Sequence, residues 1–125
     1  INAGSPYYGI RSVYDGRYRY IVNLTPEATF QNVETKSPLF KEWKSLAKTD
    51  SHAKAMTTKY QHRPAIELYD VKNDPYCMKN LAEDAKQAST ISRLDKELKR
   101  WMKDCGDEGQ PTEMRAFEHM PGKRK

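Results

Sequence analysis

Glu67, Asp70 and Asp74 fall close together in the run Glu67-Leu68-Tyr69-Asp70-Val71-Lys72-Asn73-Asp74-Pro75. Carboxylates at such spacing could hold a hard cation or divide the roles of general acid and base. A calcium loop requires a regular set of oxygen ligands over about twelve residues, and that pattern is missing. Acid–base work requires a set separation and one raised pKa, neither of which spacing supplies. The simpler role is local. Asp70 and Asp74 accept backbone hydrogen bonds in a turn, and Glu67 pairs with a base on a neighbouring hairpin. His52, His62 and His119 show neither H-E-x-x-H spacing nor a short metal cluster. Ser5, Ser12 and Ser37 lack a nucleophile elbow, and no glycine-rich phosphate loop occurs. Cys77 and Cys105 are too few for a four-ligand zinc site. They read as one disulfide tying the acidic turn to a helix end, or as separate thiols. The expected catalytic and metal-binding residues of this chain are therefore none.

Charge narrows the partners. The 22 Lys and Arg against 17 Asp and Glu leave a formal charge of +5. The bases are interspersed with acids except at Arg17/Arg19 and Lys123-Arg124-Lys125. With no recognition helix, zinc knuckle or RNA-binding aromatic motif, nucleic acid is not an expected partner. No apolar run approaches a membrane span, so membrane insertion is not expected. The hydrophobic fraction is 37% and mean hydropathy -0.97, low for a domain with a full core of its own. Eight Tyr and two Trp offset this in part, since aromatic side chains bury large areas. The composition predicts a piece that packs against something larger. The opening Ile1-Asn2-Ala3-Gly4-Ser5-Pro6, without an initiator methionine, fits a processed or excised segment.

These residues must be carried by a small set of elements. Asp15-Gly16 between two extended runs predicts a hairpin over residues 9–24, because glycine tolerates the positive φ of primed turns. A two-residue turn pairs Tyr14 with Arg17, Val13 with Tyr18 and Arg11 with Tyr20. Alternation then puts Gly9, Arg11, Val13, Tyr18, Tyr20, Val22 and Leu24 on one face. Arg11 among those aromatics either packs on them or points toward a ligand. Residues 25–37 read as a meandering connection, and Asn23-Leu24-Thr25 formally satisfies the glycosylation pattern. Ser37-Pro38 starts a helical insertion over residues 38–60, with Ser37 as cap and a second short helix over residues 51–60. A strand at residues 65–69 must join the hairpin to be stable. Asn73-Asp74-Pro75 ends it as a turn. A long helix over residues 84–104 carries the stripe Ala88, Ile91, Leu94, Leu98, Trp101, Met102 and Cys105, with Gly106 as its stop. The predicted fold is α+β: a small antiparallel sheet packed against a long C-terminal helix through Leu94, Leu98 and Trp101. Residues 107–125 lose all periodicity and are expected to be an irregular tail, laid over a larger body through Met114, Phe117 and Met120.

Several of these features together resemble the type I sulfatases, nearest the heparan N-sulfatase (N-sulfoglucosamine sulfohydrolase) branch. The resemblance covers roughly residues 7–106. It rests on Tyr8, Arg11 and Val13, then Arg17-Tyr18-Arg19-Tyr20-Ile21-Val22-Asn23-Leu24, and on the insertion beginning Ser37-Pro38-Leu39-Phe40. It continues through Glu67-Leu68-Tyr69-Asp70, Asp74-Pro75, Asn80-Leu81 and the helix containing Trp101. It implies that residues 1–106 are the C-terminal subdomain of an alkaline-phosphatase-like enzyme, with Glu67, Leu68, Tyr69, Asp70, Asp74, Pro75 and Trp101 as structural motif residues. The implied parent hydrolyses sulfate esters or N-sulfate groups on sugars, glycosaminoglycan fragments foremost, and is periplasmic, secreted or lysosomal. Its nucleophile would be a formylglycine made from a Cys- or Ser-x-Pro-x-Arg motif, beside a calcium ion. Neither Cys77-Met78-Lys79-Asn80-Leu81 nor Cys105-Gly106-Asp107-Glu108-Gly109 fits that motif. Formylglycine and calcium would thus belong to an upstream catalytic domain, the implied partner. Arg11, then His62 and Arg63, are the candidate contacts to an anionic sugar, set against packing of Arg11 on Tyr20 and a loop-anchoring role for the other two. The alternative is a non-catalytic carbohydrate-binding or structural interaction module.

Overall fold

A computed structural model describes residues 8–119 of the chain. The hairpin strands β1 (Ile10–Tyr14) and β2 (Tyr18–Asn23) pair antiparallel, and β3 (Ile66–Asp70) pairs antiparallel with the other side of β2. The sheet order is β1-β2-β3, the expected three-stranded α+β arrangement. The register of the hairpin differs from the predicted one. Tyr14 faces Arg19, Val13 faces Tyr20 and Arg11 faces Val22, so the loop is wider than a two-residue turn. Asp15 is the cause. Its carboxylate accepts the N–H groups of Arg17 at 3.0 Å and Tyr18 at 2.7 Å, while its own N–H donates to the Tyr18 carbonyl at 3.2 Å. A shift of two residues returns each side chain to the same face, so the predicted faces survive the changed register.

On one face Tyr20, Leu68, Leu94 and Leu98 form a closed cluster, flanked by Val13, Tyr18, Val22, Leu81, Ile91 and Met102. Helix α3 (Ala88–Asp104) supplies its outer wall. Each buried leucine removes enough apolar surface to contribute about 1.5–3 kcal/mol. The first turn of the expected helix is a tighter 3-10 turn at Ala85–Gln87, held by the Asp84 carboxylate on the Lys86 N–H at 3.0 Å. At the other end Gly106 adopts φ +70. The Asp107 N–H reaches back to the Met102 carbonyl at 2.7 Å and the Gly106 N–H to Lys103 at 3.1 Å, the paired bonds of a glycine-terminated helix. Trp101 departs from its predicted place. It is 52% exposed and lies at the rim beside Ser12, Val13 and Tyr14, because Leu94, Leu98 and Met102 form the line that meets the sheet.

The opposite face carries the helical insertion. Helix α1 (Pro38–Leu46) is capped by Ser37, whose hydroxyl accepts the Phe40 N–H at 3.1 Å. Helix α2 (Ser51–Gln61) is capped by Asp50 on the Ala53 N–H at 2.7 Å. Strand β3 is therefore covered on both sides: Leu68 enters the α3 cluster, while Glu67 and Tyr69 turn toward α2. Its outer edge is closed by Asn80-Leu81. The Asn80 carboxamide accepts from the Leu68 N–H at 2.8 Å and donates to the Ile66 carbonyl at 3.2 Å, and the Leu81 N–H donates to Leu68 at 2.8 Å. A strand edge closed this way cannot pair with another chain.

The expected irregular tail is ordered as far as it is described. Helix α4 (Gln110–Met114) and a 3-10 turn at Ala116–His119 follow α3 and fold back toward β1. Met120 and the rest of the predicted tail lie outside the described residues, as does Ser5. No helix among the described residues is long and apolar enough to cross a membrane.

Candidate functional site

The aromatic residues of the insertion do more than fill a core. Phe40 lies 5.5 Å from Tyr60 and 6.3 Å from Trp43, ring centre to ring centre. Tyr60 continues to Phe30 at 5.9 Å, and Phe30 to Tyr8 at 5.2 Å. Phe40, Trp43 and Tyr60 of this row wall a cavity of about 590 Å³ between α1, α2 and β3, completed by Leu46, His52, Met56, Lys59, Arg63 and Glu67. Its volume falls within the roughly 300–1,000 Å³ of small-molecule sites. The Arg63 guanidinium stacks 4.2 Å from the Phe30 ring centre and 5.9 Å from that of Tyr60. Its Nε donates to the Tyr60 carbonyl at 3.4 Å, and its terminal nitrogens hold no hydrogen bond among the described residues.

A buried polar network forms the floor. Glu67 is 8% exposed. One carboxylate oxygen accepts from Asn23 Nδ2 at 2.8 Å and the other from the Tyr69 hydroxyl at 2.5 Å. Burial, then the neighbouring Glu67 carboxylate, push the Tyr69 hydroxyl well above its ordinary pKa, so it stays a donor. The Lys59 ammonium lies 5.2 Å from the Tyr69 ring centre and donates to the Cys77 and Met78 carbonyls at 2.5 and 3.0 Å. Those bonds tie α2 to the loop after β3, where Cys77 takes φ 53. Asn23 is 2% exposed, so the Asn23-Leu24-Thr25 pattern is closed to modification in this fold. Burial likewise raises the pKa of Tyr8, whose hydroxyl has no hydrogen-bond partner among the described residues. The network offers fixed acceptors and donors behind the cavity.

The residues singled out in sequence scatter around this site. Arg63 lines it, whereas His62 is exposed at the end of α2 and does not. Arg11 is remote. Its Nε and Nη2 bind Asp107, Nη1 donates to Glu113 at 2.7 Å, and Nη1 also reaches the Ile10 carbonyl at 3.1 Å. It makes no stacking contact with Tyr20, whose hydroxyl instead donates to Asp95 at 3.2 Å. The expected pairing of Glu67 with a hairpin base is replaced by Asn23. Asp70 takes the base: Arg17 Nη2 donates to it at 2.7 Å and Nε at 3.2 Å. Alternation along β3 is the reason, since Asp70 lies opposite Tyr18 beside Arg17, while Glu67 lies opposite Ile21 on the insertion side. Asp74 caps the turn before Lys79 as expected, accepting its N–H at 2.8 Å, and Pro75 follows in that exposed turn. Cys77 and Cys105 are free thiols. Among the described residues no group of three or more His, Cys, Asp or Glu could hold a metal ion. The aromatic wall was missed in sequence because Phe40, Trp43 and Tyr60 satisfy helical periodicity equally well as ordinary core residues.

No protein-family model matches the chain. An ulvan-active sulfatase from Formosa agariphila is 32% identical over 108 residues, covering 83% of this chain and 18% of that protein. A second ulvan-active sulfatase from the same organism is 32% identical over 97 residues, covering 78% of this chain and 18% of that protein. The chain therefore spans less than one fifth of the length of either relative. Over most of its own length it is similar to a segment of curated sulfatases, and its sequence is sulfatase-related.

Proposed function

We propose that the chain is the C-terminal subdomain of a sulfatase that acts on a sulfated carbohydrate. The carrying observation is the 32% identity extending over 83% of the chain. The sheet, with α3 on one face and the insertion on the other, agrees with the small domain expected from the motif order. In this reading formylglycine and calcium belong to the larger catalytic portion, which is the chain's partner. Among the described residues no group of His, Cys, Asp or Glu fits a metal ion, and in this reading the chain's own part is to shape the substrate rim, with Arg63 ahead of His62 and the tail-bound Arg11. The relatives' ulvan activity widens the substrate class beyond heparan-like N-sulfate. The decisive experiment reads the coding sequence upstream for a Cys- or Ser-x-Pro-x-Arg motif and assays the whole enzyme for sulfate release. Ulvan, N-sulfated heparan fragments and their desulfated forms are the substrates to compare. Release from a sulfated form is expected. An upstream sequence without that motif, and a whole protein without sulfate release, would leave the non-catalytic module as the better account.

A further inference from the structure

We propose that the cavity between α1, α2 and β3 is a subsite for one ring of an anionic carbohydrate, gripped by Trp43, Tyr60 and Arg63. The carbohydrate class rests on the sulfatase reading above; the placement rests on the cavity itself. The C–H face of a sugar ring is apolar and lies well on an aromatic ring, while its hydroxyl edge needs donors and acceptors. Both are present. Trp43 is half-exposed over the cavity, and Phe40, 6.3 Å away, backs its ring from the core. Tyr60 extends the wall toward Arg63.

Charge chooses an anionic ring over a neutral one. The Arg63 guanidinium is held over the Phe30 ring at 4.2 Å and by its Nε on the Tyr60 carbonyl, so its placement costs little on binding, and its terminal nitrogens are free among the described residues. A planar fork of this kind matches a sulfate or carboxylate with two parallel hydrogen bonds. The one carboxylate in the wall, Glu67, is turned to Asn23 and Tyr69 by its hydrogen bonds and is outnumbered by Arg63 and Lys59. Lys59 adds positive potential behind it.

Trp43 also reports on the site. The chain has two tryptophans, and Trp101 lies on the other face of the sheet, so Trp101→Phe isolates the Trp43 signal. The full 125-residue chain carrying that change would be titrated with ulvan oligosaccharides, N-sulfated heparan oligosaccharides and the desulfated form of each. A shift in Trp43 emission with a sulfated oligosaccharide is expected, weakened about tenfold on desulfation. Arg63→Ala should remove that preference while Arg63→Lys keeps part of it, and Trp43→Ala, read by calorimetry, should weaken every sugar about tenfold or more. Circular dichroism and Tm confirm folding of each variant. No response to any sugar, or binding that survives both Trp43→Ala and Arg63→Ala, overturns the proposal. A response to an apolar peptide alone does so too, and makes the cavity a polypeptide docking surface. Two measurements on the parent separate the readings. Sulfate release unaffected by Trp43→Ala, with no sugar response, removes the subsite and leaves the sulfatase reading intact. Sugar binding in a parent without sulfate release supports the subsite and removes the sulfatase reading.

Discussion

Arg17 and Asp70 link the end of β3 to the hairpin loop, and the contact has a pH signature. The Arg17 guanidinium, helped by Asn73, lowers the Asp70 carboxyl from 3.8 to about 2. Arg93 and the Tyr18 N–H lower Asp15 to about 2 in the same way. Above pH 3.8 both groups are ionised whether the chain is folded or unfolded, and their contribution to stability is fully present. As pH falls from 3.8 toward 2 the unfolded chain takes protons first, so that contribution is lost. Tm measured from pH 6 to pH 2 should fall through this window, and Asp70→Asn should flatten part of the fall. An unchanged slope in the variant would assign the acid sensitivity elsewhere. Arg11 has a different signature. It and Asp107 are only 14% and 12% exposed at their side chains, so truncation strands buried carboxylates. Arg11→Ala is expected to cost about 2 kcal/mol. Amide exchange should rise first at residues 107–114. If stability and exchange both hold while turnover of the whole enzyme falls, Arg11 belongs to the substrate rim after all.

Among the elements, α3 is the one the fold depends on most. Its stripe is amphipathic, yet only Leu94 and Leu98 are fully enclosed. Leu98→Ala should lower stability by about 2–5 kcal/mol, because the removed methyl groups leave a cavity that the sheet cannot close. Trp101→Phe should cost less than about 1 kcal/mol, since that ring is half in solvent and the exchange keeps an aromatic body. Denaturant unfolding of the two variants side by side checks the order. Equal losses would mean that Trp101 is held more firmly than its exposure implies. The insertion helices follow a different logic. Their caps at Ser37 and Asp50 are local and strong, but the apolar residues Leu39, Trp43 and Leu46 of α1 remain about half-exposed.

At the scale of the whole molecule, one closed cluster fills the α3 face of the three-stranded sheet, and an aromatic-walled cavity lies on the other face. The chain by itself is expected to release no sulfate from ulvan or heparan fragments, with or without added calcium, because its sequence carries no Cys- or Ser-x-Pro-x-Arg motif and no group of three or more His, Cys, Asp or Glu among the described residues could hold a metal ion. Ion chromatography of released sulfate checks this. Turnover by purified chain on addition of calcium alone would overturn the assignment of nucleophile and metal to another part of the enzyme.

Local chemistry was legible in the sequence wherever neighbours in the chain decide it. Ser37-Pro38 starts a helix because a hydroxyl and a fixed φ act within one turn. Gly106 stops one because a positive φ closes the last carbonyls. Alternation along the two hairpin strands also announced which of their side chains share a face, and the motif order carried the sulfatase resemblance. Three features waited for the tertiary structure. The hairpin register depended on Asp15 accepting two N–H groups, a geometry that Asp15-Gly16 shares with shorter turns. Arg11 met its carboxylates across 96 and 102 residues of chain, and no spacing rule reaches so far. The aromatic cavity arose only when β3 placed Glu67 behind α2, since periodicity fixes the face of each helix but not what the opposite wall will be.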